Sequence, residues 1–537
     1  MRASPLRSRS ERDDSRLWTL LLLAAALVLL VGAPLPLTDG VTAFYGTIAK
    51  NMLATGDWLT LRTRLMPVVD KPPLTFWLMG LSFALFGTAE WALRAWHLGC
   101  AVAAALATYA LARLDLPRRD ALVAATVLLT TMQFFYQSLV PEQHVPLALF
   151  LTLGVYWHLR WEREGRWHAA VLAWLSAALA VLSIGIAGLV MVALVVGAHL
   201  MIDRPRLPHR ALPAALLGAA VFLLVAAPWF VIGILRQGRP FVDTFFLAGT
   251  LGVGRFFQHV QASPTTVPWW AGFGAYILLL PLGFLPWTGW LWPALKDGWA
   301  ARRSSGPVLW VCTVWTIVIL ALLSASLGDK SSRYLLPVFP PLAVLVGRAV
   351  GDLKWARQAA AVSLATAIPL LSLVTAVALV KFPGDAARYA PLIWSFLPAF
   401  IAALAAYAIA TVFNRPTTGI VLLTCLVMVS YVLAIASVAR IWDEVSPWRS
   451  VAGIVNGLGA PGNRLIMLGT DNAFADYYIA RPVEYMSEAD LVHEWGREAV
   501  IAVVPGHALA ALPAFPRPII VGRAPTGLVV VTNTPAK

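Results

Sequence analysis

The chain has 537 residues, 59% of them hydrophobic and 13% charged, with a mean hydropathy of +0.74. A soluble domain cannot hide that much apolar surface, and many runs approach the roughly 20 residues that cross a bilayer, so a polytopic α-helical membrane protein is predicted. The net charge of +14 fits Lys and Arg gathered in cytoplasmic loops rather than a nucleic-acid partner, and Cys100, Cys312 and Cys425 all lie in apolar runs, so neither a disulfide framework nor a cysteine metal site is indicated.

The basic N-terminus MRASPLRSRSERDDSR runs straight into an apolar stretch, which predicts an uncleaved first span with a cytoplasmic N-terminus. Helix-length apolar windows place spans near 17–35, 92–112, 121–139, 144–160, 168–182, 185–202, 211–235, 268–292, 307–326, 334–349, 358–380, 391–412 and 418–439, about thirteen in all. Basic loops around Arg113, Arg160, Arg204, Arg302, Arg348 and Arg415 then fall on one side, as the positive-inside rule requires. The other side, periplasmic in a bacterium, receives the long segments 36–91 and 236–267 and the C-terminal tail. Residues 1–439 read as the membrane domain and 440–537 as a small periplasmic α/β domain. Strands are expected at Arg464–Leu468, Val500–Val504, Pro518–Val521 and Leu528–Val531, with helices at Asn472–Ile479 and Glu488–Glu498.

Four constellations on the periplasmic side carry candidate chemistry. The loop 36–91 holds Asp39, Asp57, Asp70 and Lys71, with two short amphipathic helices (Thr42–Ala54 and Leu74–Phe86) expected to lie along the interface. A carboxylate there can act as general base toward an acceptor hydroxyl or amine, and the lysine can hold a phosphate. The turn QSLVPEQHVP offers Glu142 and His144 as acid/base groups or metal ligands, or simply as a solvated turn. In the 236–267 segment, Arg255 can clamp a phosphate and His259 can bind a metal or donate a hydrogen bond. Finally, LGDKSSRYLLPVFPP brings Lys330, Arg333 and Tyr334 together on the wrong side for the positive-inside rule; Asp329 can neutralise one base, so an anionic lipid phosphate is the expected partner of the other.

The run YGTIAKNMLATGDWLTLRTRLMPVVDKPPLTFWLMGLSFALFGTAEWALR, followed by PWFV, FFLAGTLGVGRFFQ and SLGDKSSRYLLPVFPPLAVLVG, resembles the GT-C superfamily of polyprenyl-phosphate-sugar-dependent glycosyltransferases. In particular it is similar to the bacterial protein O-mannosyltransferase and lipid A aminoarabinose transferase type. The resemblance implies inverting transfer of a hexosyl or pentosyl group from a polyprenyl-phosphate-linked sugar to a lipid, glycan or protein acceptor, at the periplasmic face of the bacterial inner membrane. It implies a catalytic carboxylate shortly before Tyr45. Strict spacing places Val41-Thr42 there, which leaves Asp39 as the candidate base. Asp70 matches a metal- or acceptor-contacting position, and Lys71, Lys330, Arg333 and Tyr334 match donor-phosphate positions. A second acidic position aligns with His144, with Glu142 as substitute, and a lysine usual between the fifth and sixth spans is Ile184. Tyr45, Asp57 and His144 are expected near the acceptor or behind the reacting groups.

A divalent metal (Zn or Mg) at Asp70 and His259 is an open expectation; no nucleotide is expected, because no nucleotide-binding loop is present. A monomer surrounded by membrane lipids is expected. Two rival readings are a catalytically silent lipid-binding homologue and a polyprenyl-lipid transporter or flippase, although neither repeat symmetry nor matching broken helices is visible in the sequence.

Overall fold

Helix α1 (Pro5–Val31) shows how the apolar runs divide between protein and lipid. Trp18, Leu21, Ala25 and Leu29 are buried at helical spacing, whereas Leu20, Leu23, Leu27 and Leu30 are all more than half exposed. An apolar stripe uncovered by protein suits a helix whose other solvent is lipid. The computed structural model describes residues 5–63, 66–205, 208–209, 211–248, 269–303, 306–326, 330–381, 383–458, 463–469, 472–514 and 516–534.

After α1 come the two short helices of the first loop, α2 (Gly40–Thr55) and α3 (Leu74–Phe86), then α4 (Glu90–Ala112). The next group is α5 (Arg118–Thr130), α6 (Met132–Leu139), α7 (His144–Glu164), α8 (Trp167–Ile184), α9 (Ile186–Asp203), α10 (Ala211–Gln237) and the single turn α11 (Arg239–Val242). The bundle is completed by α12 (Trp269–Gly283), α13 (Leu291–Ala300), α14 (Val308–Ala325), α15 (Phe339–Gly351), α16 (Ala356–Lys381), α17 (Pro383–Val412) and α18 (Pro416–Val445).

Among the described residues, ten helices are long and apolar enough to cross a membrane, and two bent pairs raise the number to twelve. Helix α7 is of spanning length but ends in the polar Trp161-Glu162-Arg163-Glu164; with it the number reaches the thirteen expected from the sequence. Two of those thirteen are not straight. The expected span 121–139 is α5 and α6, bent by 60° at Thr131, and the expected span 268–292 folds back by 118° between α12 and the turn that leads into α13.

The two breaks meet. Met132 donates its backbone N–H to the Leu285 carbonyl at 2.8 Å, the Trp287 indole donates to Thr130 Oγ1 at 2.9 Å, and the Tyr431 hydroxyl donates to the Thr130 carbonyl at 2.9 Å. Backbone groups released inside a membrane must find partners in the protein; here Met132 finds its partner at the other break, and the Thr130 and Pro286 carbonyls find theirs in the hydroxyls of Tyr431 and Ser363. Fully buried Trp287, Trp290 and Leu285 fill the junction. Close helix contact elsewhere depends on small residues: a Cβ on Gly347 of α15 would lie 2.6 Å from the Asp120 carbonyl oxygen of α5.

At the end of the bundle away from the first loop, ion pairs join the termini of several helices. Arg163 pairs with Asp115 at 2.9 Å, Arg119 approaches Asp14 at 3.6 Å, and Arg348 approaches Asp120 at 3.7 Å.

The C-terminal region begins with α19 (Trp448–Gly457) and folds around a five-stranded sheet. Its elements are β1 (Arg464–Leu468), α20 (Ala473–Tyr478), β2 (Glu484–Met486), α21 (Glu488–Glu494), β3 (Val500–Pro505), β4 (Ile519–Arg523) and β5 (Leu528–Thr532). The order is β2-β1-β3-β5-β4, with β1 parallel to both β2 and β3 and β5 antiparallel to both β3 and β4. Register is set by pairs such as Ile466 with Ala502 and Val503 with Val530, which place alternate apolar residues in cores on the two faces. The expected strands and helices are present. The three-residue β2 was not anticipated.

Candidate functional site

A buried arginine organises the first loop. Arg94, in the first turns of α4, is 2% exposed. Its Nε donates to the Leu139 carbonyl at 2.9 Å, Nη1 donates to Ala33 at 3.3 Å and to Leu35, and Nη2 donates to Pro36 at 2.7 Å. A planar guanidinium with five N–H groups can hold several carbonyls at once. One side chain thus fixes both the extended segment leading to Asp39 and the end of α6 leading to Glu142.

Asp39 is the N-cap of α2: its Oδ1 accepts from the Thr42 backbone N–H and its Oδ2 from the Thr42 hydroxyl, both at 2.7 Å. The helix it starts carries Tyr45 inward, where its ring packs on Phe76 at 4.9 Å between centroids. Burial, followed by the charges of Glu142 and Asp70, pushes the Tyr45 phenol well up from its ordinary value.

Glu142 is 5% exposed in the turn between α6 and α7. Arg333 Nη1 donates to its Oε1 at 2.9 Å, and His144 Nε2 lies 3.9 Å from its Oε2. Burial raises the Glu142 carboxyl above the usual carboxylate range; Arg333 and Lys71 oppose that shift and the charge of Asp39 adds to it. His144 stands edge-on to Tyr334 at 5.3 Å, and the Arg333 guanidinium lies 5.6 Å from the same ring. Lys71 pairs with Asp70 at 2.9 Å. Asp39, Tyr45, Asp70, Lys71, Glu142, His144, Arg333 and Tyr334 therefore form one electrostatically coupled group.

Several buried polar atoms of this end find no hydrogen-bond partner among the described residues: Arg333 Nε, His144 Nδ1, Gln143 Nε2, Gln137 Oε1 and Thr75 Oγ1. Unsatisfied buried donors and acceptors are costly, and the Arg333 Nε and His144 Nδ1 beside Glu142 are groups that a polar ligand can satisfy.

Two expected site residues, Lys330 and Asp57, are otherwise engaged, and two fall outside the described residues. Lys330 folds back onto the end of α14, donating to the carbonyls of Leu323 at 2.7 Å, Ser324 at 3.2 Å and Ser326 and to Ser326 Oγ at 3.1 Å, so it caps a helix C-terminus. Burial holds its ammonium below the usual lysine range. Asp57 accepts from the Leu59 and Thr60 backbone N–H groups, each at 3.1 Å, and from Arg236 at 3.0 Å, which ties the first loop to α10. Burial raises its carboxyl, but these hydrogen bonds outweigh burial and hold it below its ordinary value. Arg255 and His259 lie outside the described residues, and so does Asp329.

Residues 70–232 match the family model described as dolichyl-phosphate-mannose-protein mannosyltransferase. The curated relatives include an undecaprenyl phosphate-α-4-amino-4-deoxy-L-arabinose arabinosyl transferase of Erwinia tasmaniensis, 30% identical over 316 residues, covering 56% of this chain and 53% of that protein. An uncharacterized protein of Aquifex aeolicus is 28% identical over 305 residues, covering 56% of this chain and 57% of its own. The chain thus spans a little over half the length of the curated relatives it matches. Among solved structures, ArnT from Cupriavidus metallidurans bound to undecaprenyl phosphate superposes with a TM-score of 0.76 at 20% identity, covering 96% of this chain and 98% of ArnT. The chain has the fold of that ArnT structure.

The sheet domain is bolted to the first loop, a relationship sequence reasoning missed. Arg449 grips Glu90 with two bonds, Nε to Oε1 at 2.9 Å and Nη2 to Oε2 at 2.5 Å. The Tyr478 hydroxyl donates to Glu90 and accepts from the Leu37 N–H at 3.2 Å. Lys50 of α2 donates to the Tyr477 carbonyl at 2.6 Å and sits 3.8 Å from the centre of that ring. A Cβ on Gly46 would come within 2.5 Å of Tyr477, so α20 rests on α2 only because position 46 has no side chain. Arg94 was missed as well, although an arginine inside an apolar run was a visible signal.

Proposed function

We propose that the chain is a membrane glycosyltransferase that moves a hexosyl or pentosyl group from a polyprenyl-phosphate donor to a hydroxyl or amine of a lipid, glycan or protein acceptor, with inversion. The reaction would take place at the end of the bundle formed by loop 36–91, facing the periplasm of a bacterial inner membrane. The observation that carries this reading is the buried Glu142–Arg333 pair set among Asp39, Tyr45 and Lys71, with an unpartnered guanidinium N–H beside it. The names of the relatives point to the same donor class: undecaprenyl phosphate carrying an aminoarabinose in the curated transferases, and undecaprenyl phosphate in the ArnT structure.

In this mechanism a carboxylate, Asp39 or Glu142, takes the acceptor proton as the acceptor atom attacks the anomeric carbon. The bond from that carbon to the phosphate oxygen breaks, and the polyprenyl phosphate leaves with added negative charge. Lys71 and the free edge of Arg333 meet that charge, while Tyr334 and His144 wall the site. Lys330, occupied on helix carbonyls, supports the wall and leaves the phosphate to Lys71 and Arg333.

Of the two expected ligands of a divalent cation, Asp70 and His259, the second lies outside the described residues. No step is routed through one. The silent lipid-binding reading has one observation in its favour, the engagement of both Asp39 oxygens by Thr42.

The test is transfer of label from a radiolabelled undecaprenyl-phosphate sugar, aminoarabinose or mannose, to lipid acceptors by the purified full-length chain in lipid nanodiscs. Transfer with inverted anomeric configuration supports the proposal. Retention of bound donor without transfer to any acceptor supports the silent homologue.

A further inference from the structure

A second polar cluster lies on the same helix as the site, toward its other end. His158 and Glu162 stand one turn apart on α7, and His199 and Asp203 one turn apart on α9, so each pair presents both side chains on one helix face. From His144 to His158 is fourteen residues, roughly 21 Å along the helix axis. This cluster therefore takes no part in the chemistry proposed above, and the inference does not depend on it.

The ring of His199 lies between two carboxylates. Its Nε2 is 2.7 Å from Glu162 Oε2, and its Nδ1 is 2.6 Å from Asp203 Oδ2. A neutral imidazole has one N–H and can serve only one of them. Asp203 is itself oriented from its other side by the Trp310 indole, which donates to Oδ1 at 2.8 Å. His158 is 7% exposed, its ring is 5.8 Å from that of His199, and its Nε2 is buried with no partner among the described residues. A protonated His199 shared by two carboxylates would account for the first pair of contacts but would leave His158 Nε2 orphaned.

A cation accounts for all of it. Ligand atoms from His158, Glu162 and His199 lie within 4.8 Å of one another. We infer that His158, Glu162 and His199 bind one divalent cation of the zinc class, with Asp203 accepting from His199 Nδ1 behind it. Two imidazole nitrogens and one carboxylate select a borderline ion over Mg²⁺ or Ca²⁺, and three ligands leave a fourth position for water. Asp203 fixes the tautomer that presents Nε2 to the ion, as outer carboxylates do at histidine metal sites. The ion ties α7 to α9, and through Asp203 and Trp310 to α14.

The experiment uses the full-length chain in detergent with its affinity tag removed, stripped with chelator, re-equilibrated with ZnCl₂ and desalted. Zinc is read by mass spectrometry, and Co²⁺ substitution by its visible absorption. One zinc per chain is expected, with the band intensity of tetrahedral cobalt. His158→Gln, which breaks no ion pair and keeps the fold, should lose the ion. Asp203→Asn should weaken binding about ten- to a hundredfold. Asp70→Asn combined with His259→Ala should keep the ion, which separates this site from any at the first loop. Absence of bound zinc in the wild type would overturn the inference, as would zinc that survives His158→Gln but is lost in the Asp70/His259 variant.

Discussion

Arg333 Nη1 donates to Glu142 Oε1 at 2.9 Å, joining residues 191 positions apart at the centre of the coupled charges. The pair sits where a buried carboxylate and a partly free guanidinium can divide the work of base and phosphate clamp. Glu142→Gln should lower transfer by about a hundredfold to ten-thousandfold, the usual range for losing a general base, if Glu142 takes the proton. Arg333→Lys should not rescue Arg333→Gln, since a point charge cannot replace the fork. Initial rates at saturating donor measure both.

The raised Glu142 carboxyl sets a pH dependence. A base must be ionised, so activity should fall as pH drops through a value above the ordinary glutamate range. This acid limb should vanish in Glu142→Gln if that residue is the base. Stability moves the other way: a carboxyl raised on folding contributes below its unfolded value and loses that contribution as pH rises through the folded one. Glu142→Gln should therefore cost little melting temperature at neutral pH while activity collapses. A kcat/KM profile beside a thermal scan separates the two effects.

Asp57 has the opposite sign. Its carboxyl is held below its ordinary value, so its contribution is present above the unfolded value and is lost as pH falls through the folded one. Because Arg236 is well exposed in this pair, Asp57→Asn should cost under about 1 kcal/mol of stability. Chemical denaturation at neutral pH checks the size, and the difference from wild type should shrink in acid.

Arg94 is the most vulnerable residue of the first loop. Arg94→Leu strands the carbonyls of Leu139, Ala33, Leu35 and Pro36, and should destabilise by about 3–5 kcal/mol. Arg94→Lys should recover little of this. Thermal unfolding in detergent reads the loss, and transfer should fall with it because the segments leading to both carboxylates lose their anchor.

The sheet domain should be held to the loop by Glu90 and Arg449. A double-mutant cycle of Glu90→Gln and Arg449→Gln should give a coupling of about 1–2 kcal/mol for this partly buried, two-bond pair. Gly46→Val should loosen the same contact by displacing Tyr477. Limited proteolysis between α18 and β1 reads both.

Much of this fold was legible because hydropathy and alternation are local signals. The stripe of Trp18, Leu21, Ala25 and Leu29 and the strands around Ile466 and Val530 follow from patterns a few residues wide. The breaks at Thr131 and after α12 were hidden because the flanking sequence stays apolar and distant residues such as Tyr431 satisfy the released groups. They do not revive the transporter reading: large buried side chains fill their junction, where a transport site would hold charge. Within the candidate site, Lys71, Glu142 and Arg333 stand out in the sequence because charge is rare in this chain. The contacts of Lys330 with helix carbonyls depend on a backfold that spacing does not reveal. The clasp of Glu90 by Arg449 spans 359 residues and left no local trace. The i, i+4 pairs at His158 and His199 did leave one, lost among residues assigned to spans.

In the proposed reaction a carboxylate, Asp39 or Glu142, drives release of polyprenyl phosphate by sugar transfer. The most direct measurement is the appearance of free undecaprenyl phosphate, counted against labelled product, from wild type, Asp39→Asn, Glu142→Gln and the double variant in nanodiscs. The account predicts one lipid phosphate released per sugar transferred by wild type, a severe loss in at least one single variant, and none above background in the double variant. Undiminished, stoichiometric release by the double variant would contradict it.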